Sequence, residues 1–334
     1  MHLDPTLICA GLIVFGIIMY VILDGFDLGV GILFPLAPSD KCRNVMMSSI
    51  APVWDGNGTW LIYGGGVLFA AFPTAYSIVL PAFYVPIMIM LFALMFRGVA
   101  FEFRMKARKS RWIWDYSFNL GSLITAFAQG VILGALIDGV KVVDNKFAGG
   151  TFDFLTAFSL TTGLAVVFGY GLLGATWLVI KTEGQTLRWA REIARPLLFA
   201  VLFFIFVVSI RTPSEYPEIA ARWFSTPNIF ILAPIPLTTI FLAGYMLKAL
   251  HYKNDKIPFK AAVGIFLLCF LGLAVSLFPH IILPNVTIWQ ASAPLQTQKF
   301  VLTVVAVSLP IVLGYTYFVY TLFRGKVDPN KTYY

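Results

Sequence analysis

Three aspartates stand where an apolar chain would carry none. Asp24 and Asp27 interrupt the apolar run 7–33, and Asp55 lies near the start of the run 52–72. Spaced three apart, Asp24 and Asp27 share one face of a helix. An ionised carboxylate inside a membrane span costs several kcal/mol unless it is paired or hydrated, so such groups often mark ion or proton paths. The chemistry open to them is proton uptake and release, because burial brings a carboxylate toward holding and losing a proton near neutral pH. Glu102 joins them just beyond a third run, with Arg97 and Arg104 as available counter-charges. The plainer alternative also stands: the acids pair with arginines or cap helices and move nothing.

The elements that must position these groups follow from composition. Hydrophobic residues make up 59% of the chain and charged residues 12%, with a mean hydropathy of +0.84. A soluble domain carries roughly 25% charged residues, about twice that share. About twenty apolar residues cross the hydrocarbon core. Runs of that kind lie near 7–33, 52–72, 75–96, 115–137, 154–180, 193–210, 229–247, 261–282 and 300–322. The chain therefore reads as one all-α polytopic membrane domain over residues 1–334, of about nine transmembrane helices. The sixth run is the shortest and spans only if Arg195 snorkels to the interface. The second and third are separated by Pro73 and Thr74, which calls for a tight turn.

Alternating loops set the orientation. With Arg195 at the start of the sixth run counted in, nineteen lysines and arginines fall in the loops after the odd-numbered spans up to the seventh and in the carboxyl tail, against five on the opposite side. The positive-inside rule then places the amino terminus outside and the carboxyl terminus in the cytoplasm. The first helix enters from outside, so Asp24 and Asp27 fall in its cytoplasmic half. Asp55 and Glu102 are expected at the same face, with Asp55 near the positive end of its helix. The net charge of +8 is dispersed over loops, which fits topology and lipid-headgroup contacts and gives no nucleic-acid surface.

Other chemistry is thinly represented. Cys9, Cys42 and Cys269 are odd in number and unclustered, so no disulfide framework follows. The first fifteen residues lack a basic region and a small-residue cleavage site, and read as part of a retained helix. Of the histidines, His2 is terminal, His251 lies in a basic loop and His280 ends the eighth run. A multi-haem chain needs several axial ligands within its spans. With no Walker loop, CxxC pair, HExxH or Rossmann fingerprint, no metal or cofactor is expected on this chain alone. Gly25-x-x-x-Gly29, Gly130-x-x-x-Gly134 and the run Gly64, Gly65, Gly66 point to close helix approach.

The segments Asp24-Gly-Phe-Asp-Leu-Gly-Val-Gly31 and Ala51-Pro-Val-Trp-Asp-Gly-Asn-Gly-Thr-Trp60 resemble subunit II of cytochrome bd quinol oxidases. Phe96-Arg-Gly-Val-Ala-Phe-Glu-Phe-Arg104 and Trp177-Leu-Val-Ile-Lys-Thr-Glu-Gly184 match the same family, over essentially the whole chain. The compact length and the Gly98–Arg104 stretch look most like its cyanide-insensitive branch. The resemblance implies two four-helix bundles plus a peripheral ninth helix in a bacterial inner membrane. It implies a quinol-oxidising, dioxygen-reducing complex in which the partner, subunit I, carries haems b and d and the quinol site. Membrane lipids are further partners, and the family leaves room for a small single-helix subunit. It also implies that Asp55, with Trp54 and Asn57 beside it, sits on a hydrophilic path toward the haems, with Glu102 near its mouth. Asp24 and Asp27 match paired acids of the first helix, for which structural support and proton transfer both remain open. Trp60 matches a residue near an apolar oxygen route, with simple packing as the alternative. Many relatives carry Glu or Gln where this chain has Gly58; if that side chain serves as a relay group, water or another carboxylate must replace it here.

Two other functions fit the residues alone. A proton-coupled secondary transporter would use intramembrane carboxylates and glycine-interrupted helices, and would move solute in liposomes by itself. A purely structural subunit would lose haem content, not turnover per haem, when its carboxylates are removed.

Overall fold

The computed structural model describes residues 4–107 and 109–328; His2, Arg108 and Lys331 lie outside the described residues. α1 (Pro5–Leu33) starts where the Asp4 carboxylate accepts from the Thr6 amide and Pro5 takes the first helical position, where its missing N–H costs nothing. α2 (Asp40–Ile50) is a short helix capped by Ser39, and the run-length argument does not anticipate it. α3 (Trp54–Ala71), α4 (Pro73–Ala82) and α5 (Tyr84–Arg104) follow, with only Phe72 between α3 and α4.

The expected run 75–96 is thus divided at Phe83, and the long apolar helix is displaced toward the carboxyl end. Pro81 and Pro86 flank the break, and Pro86 has no N–H to offer the carbonyl four residues earlier. Arg97 and Glu102, expected at or beyond the end of a span, are consequently inside α5.

α6 (Arg111–Asp138) leads through the hairpin β1 (Val142–Val143) and β2 (Lys146–Phe147) to α7 (Ala157–Lys181). Asp144 and Asn145 take φ of 50° and 58°, the left-handed pair a two-residue hairpin turn requires. α8 (Gly184–Glu215), at 32 residues, far exceeds the expected 193–210 and needs no help from Arg195 to reach spanning length. α9 (Pro217–Phe224), α10 (Asn228–Leu232), α11 (Pro234–His251) and α12 (Ile257–Leu277) complete the second half. α12 stops short of the expected 282, so His280 lies in the strand β3 (His280–Ile282), paired with β4 (Val286–Thr287). α13 (Ile288–Ala291) and α14 (Leu295–Leu322) end the fold.

Among the described residues, eight helical segments are long and apolar enough to cross a membrane. α3 is not one of them, yet it runs the same course. The Trp289 indole donates to Asp4 at 2.7 Å and the Ala293 amide donates to the Ala71 carbonyl at 2.8 Å, so the start of α1 and the end of α3 meet at one end. Asn57, near the start of α3, meets Leu23 well along α1. The two helices are antiparallel, so α3 adds a ninth candidate pass among the described residues. The Trp289 bond also holds the Asp4 carboxyl below the usual aspartate range.

α1, α3, α5 and α6 form one group of four and α7, α8, α11 and α12 a second, joined where α1 and α6 pack on α7; α14 lies outside them against α3 and α1. Small residues set the joints. A Cβ on Gly29 would collide with the Tyr170 carbonyl, and one on Gly130 would meet the Thr162 carbonyl oxygen at 2.5 Å. Gly64 faces Ile17, whereas Gly65 and Gly66 face open space within this chain. Both hairpins, α4, α9 and α13 gather at the end that holds Asp4. At the opposite, basic end are α2 and the turns after α5, α7, α11 and α14.

Candidate functional site

In the half of α1 nearer the basic end, Asp24 and Asp27 are both 0% exposed. The Arg97 guanidinium of α5 donates from Nη1 to Asp24 Oδ1 at 2.8 Å. Asn57 of α3 donates from Nδ2 to Asp27 Oδ2 at 2.7 Å and to the Leu23 carbonyl at 3.2 Å. Tyr320 of α14 donates to Asn57 Oδ1 at 2.9 Å. One turn before Asp24, the Tyr20 hydroxyl accepts from Gln129 Nε2, and Tyr170 donates to Gln129 Oε1, each at 2.7 Å. Side chains from α1, α3, α5, α6, α7 and α14 thus make three polar sets on α1. Among the described residues, Asp24 Oδ2, Asp27 Oδ1 and Arg97 Nε and Nη2 have no hydrogen-bond partner, a capacity that water supplies in buried polar sites.

The remaining residues read from sequence sit differently. Asp55, in the first turn of α3, and Glu102, in the last turn of α5, are exposed rather than buried with Asp24 and Asp27. The expected cluster of four acids is therefore two buried and two on the surface. The helix begins at Trp54, after Pro52, and the Trp54 ring stacks on Phe101 with centroids 4.6 Å apart and planes 1° from parallel. That stack holds the start of α3 against α5, with Asp55 and Glu102 each one residue further on. Trp60 is buried, with Phe15 and Tyr63 edge-on at 5.7 and 5.6 Å. A Cβ on Gly58 would meet nothing within 4 Å, so a longer side chain has room there. Arg104 pairs with Asp115 and with Asn44, the latter at 2.9 Å, and so joins α5 to α6 and α2; it serves neither Asp55 nor Glu102.

Chemically, the buried half can hold charge and the exposed half can exchange protons. Asn57 separates Asp27 from Tyr320, and an amide with both ends engaged is a clamp, not a relay. Sequence reading missed Tyr20, Gln129, Tyr170 and Tyr320. Tyr20, one turn before Asp24, and Gln129, polar within an apolar run, carried a signal; Tyr320 on the outlying helix carried none. Neither described histidine lies inside the helix groups. His251 is the exposed last residue of α11 and His280 lies in a hairpin strand. Among the described residues, no group of three or more His, Cys, Asp or Glu can hold a metal ion.

Comparison with known proteins gives a consistent picture. Residues 5–323 match the family described as cytochrome bd terminal oxidase subunit II. The chain is 31% identical to cytochrome bd ubiquinol oxidase subunit 2 of Bacillus subtilis over 324 residues, covering 92% of this chain and 93% of that protein. It is 31% identical to cytochrome bd-I ubiquinol oxidase subunit 2 of Escherichia coli over 350 residues, covering 93% and 92%. Its fold is similar to a chain in the structure of bd oxidase from Geobacillus thermodenitrificans, with a TM-score of 0.78, 17% identity, and coverage of 96% of this chain and 99% of that one.

Proposed function

Since the chain belongs to the cytochrome bd terminal oxidase subunit II family and is subunit II of a cytochrome bd ubiquinol oxidase, we propose that it is the haem-free half of a complex with subunit I and hands that partner protons from the cytoplasm. The bacterial relatives point to the cytoplasmic membrane. We assign its basic end to the cytoplasm, because nineteen of twenty-four lysines and arginines belong to that side. Haems b and d and the quinol site belong to subunit I in this reading.

One observation carries the proton assignment: Asp55 and Glu102 are exposed beside the Trp54–Phe101 stack on helices whose outer faces, Thr59 apart, are apolar. Ile62, Met95, Phe96 and Phe103 are all more than half exposed there. A carboxylate on such a face suits a junction with a second membrane subunit, where it can collect a proton from the aqueous side and pass it inward. Asp24 and Asp27 serve as a buried charge that Arg97 and Asn57 hold in place. Trp60 is a packing residue in this reading rather than part of an oxygen route, because Phe15 and Tyr63 close over its ring.

Asp55→Asn in the native complex tests the assignment. Quinol-dependent oxygen uptake per haem is expected to fall roughly tenfold, less than the ~10²-fold of a lost direct acid–base group, because water can substitute in part. The haem absorption spectrum is expected to persist. Full activity with normal haem content would remove Asp55, and a fall in haem content at constant turnover per haem would leave it a structural role.

Within the family, the compact length and the Gly98–Arg104 stretch favour the cyanide-insensitive branch. That assignment expects oxygen uptake to continue at a cyanide concentration that arrests a haem–copper oxidase assayed alongside. Arrest of both together would withdraw it.

A further inference from the structure

The motif Trp177–Gly184 has no part in proton handling, yet it ends against a built pocket at the basic end. Beyond Leu322 the chain turns back across the end of α7. Lys181 donates from Nζ to the Phe323 carbonyl at 2.6 Å, and the Val327 amide donates to the Lys181 carbonyl at 2.8 Å. The turn closes over a cavity of about 90 Å³ whose lining includes Trp177, Tyr320, Ser48 and Ser49. Three cations, Lys181, Arg324 and Lys326, also line it, and no acidic residue does.

The cations are not equally occupied. Lys181 is fixed between the Phe323 carbonyl and the Trp177 ring, whose centroid lies 5.1 Å from Nζ. Lys326 is shared with Asp255 at 3.2 Å, and Asp255 is also held by Arg191. The Arg324 guanidinium takes part in none of the ion pairs among the described residues. Two fixed ammonium groups, a guanidinium fork and two hydroxyls around so small a volume suit a compact oxyanion with several acceptor atoms. An apolar ligand would strand those donors.

We propose that this pocket binds a phosphate group, supplied either by the headgroup of an anionic phospholipid or by free phosphate. Basic clusters at a membrane face draw both. The site is independent of the proton-handling assignment. Occupancy braces α14, because Tyr320 forms one wall while its hydroxyl holds Asn57. A ligand that binds the folded complex raises its stability with the logarithm of the ligand concentration over its Kd.

The test uses the native complex in uncharged detergent, freed of phosphate. Its thermal midpoint is read with inorganic phosphate against chloride at equal ionic strength. A parallel arm compares nanodiscs containing phosphatidylglycerol with nanodiscs of phosphatidylcholine alone. One source is expected to raise the midpoint by about 5 °C, and Arg324→Gln is expected to abolish the rise. Lys181→Gln should abolish it too, but it also costs the bond to Phe323, so Arg324→Gln is the deciding variant. A rise with inorganic phosphate supports the site with a free anion as ligand. A rise with phosphatidylglycerol alone supports it with a lipid headgroup. No rise from either, or an equal rise in Arg324→Gln, overturns the proposal.

Discussion

Arg97→Leu is expected to prevent accumulation of the assembled oxidase. Arg97 is 3% exposed and donates to Asp24, which is 0% exposed. Removing one partner of a buried ion pair leaves an uncompensated charge and costs about 3–5 kcal/mol, more than the intact pair contributes net. Here the penalty is compounded, because Asp27 lies one turn from Asp24 on the same helix face and is also fully buried. Asn57, itself held by Tyr320, would still hold Asp27 but would add no positive charge. The decisive comparison is with Asp24→Leu/Arg97→Leu, which removes both charges and should recover most of the assembled complex and its haem spectrum. If the single variant assembles as well as the wild type, or the double variant fails equally, charge balance is not what Arg97 provides.

The same pair explains why part of the fold was legible in the sequence and part was not. Run length picked out the long apolar helices, since lipid demands long apolar stretches whatever lies beside them. The third pass was misplaced because a charged residue reads as the end of a span unless its partner is known. Arg97 looks like a loop residue in the segment Phe96–Arg104, but Asp24 lets α5 continue for two more turns. Pro81 and Pro86 were visible, yet two prolines near a run do not say on which side the helix will continue. α2 was missed because its buried face, Cys42, Val45, Met46 and Ile50, is too short to register beside true spans.

Among the candidate residues, Asp24 and Asp27 declared themselves by type and position. Their separation from Asp55 and Glu102 did not, because α1 turns its acids inward while α3 and α5 turn theirs outward. Helical spacing within one element fixes relative faces only. Tyr320 reaches Asn57 across 263 positions of chain, a pairing with no local trace. The glycine motifs were legible as close contacts, though not as to partner: Gly64 meets α1, while Gly65 and Gly66 meet nothing in this chain.

Gly174→Ala is expected to weaken the joint between the two helix groups with a far smaller change of side chain. A Cβ at Gly174 would collide with the Gly29 carbonyl carbon and stand 2.5 Å from the Val30 amide nitrogen. Both are backbone atoms of α1, which cannot turn aside as a flexible side chain would, so α1 and α7 must separate. Alanine gains up to about 1 kcal/mol of helix propensity over glycine in water. Overpacking typically costs about 1–3 kcal/mol, and a clash of backbone on backbone belongs at the upper end. Separation also loosens Tyr170, whose hydroxyl holds Gln129 and through it Tyr20, so the loss spreads into the polar chain. At roughly 2–4 °C per kcal/mol for a chain of this size, the thermal midpoint of the complex should fall by about 5 °C. Gly244→Ala supplies the control: on α11 an added Cβ meets nothing within 4 Å, so propensity alone acts and the midpoint should hold or rise slightly. Equal midpoints for the two variants would mean that contact between Gly29 and Gly174 does not set how α1 rests on α7.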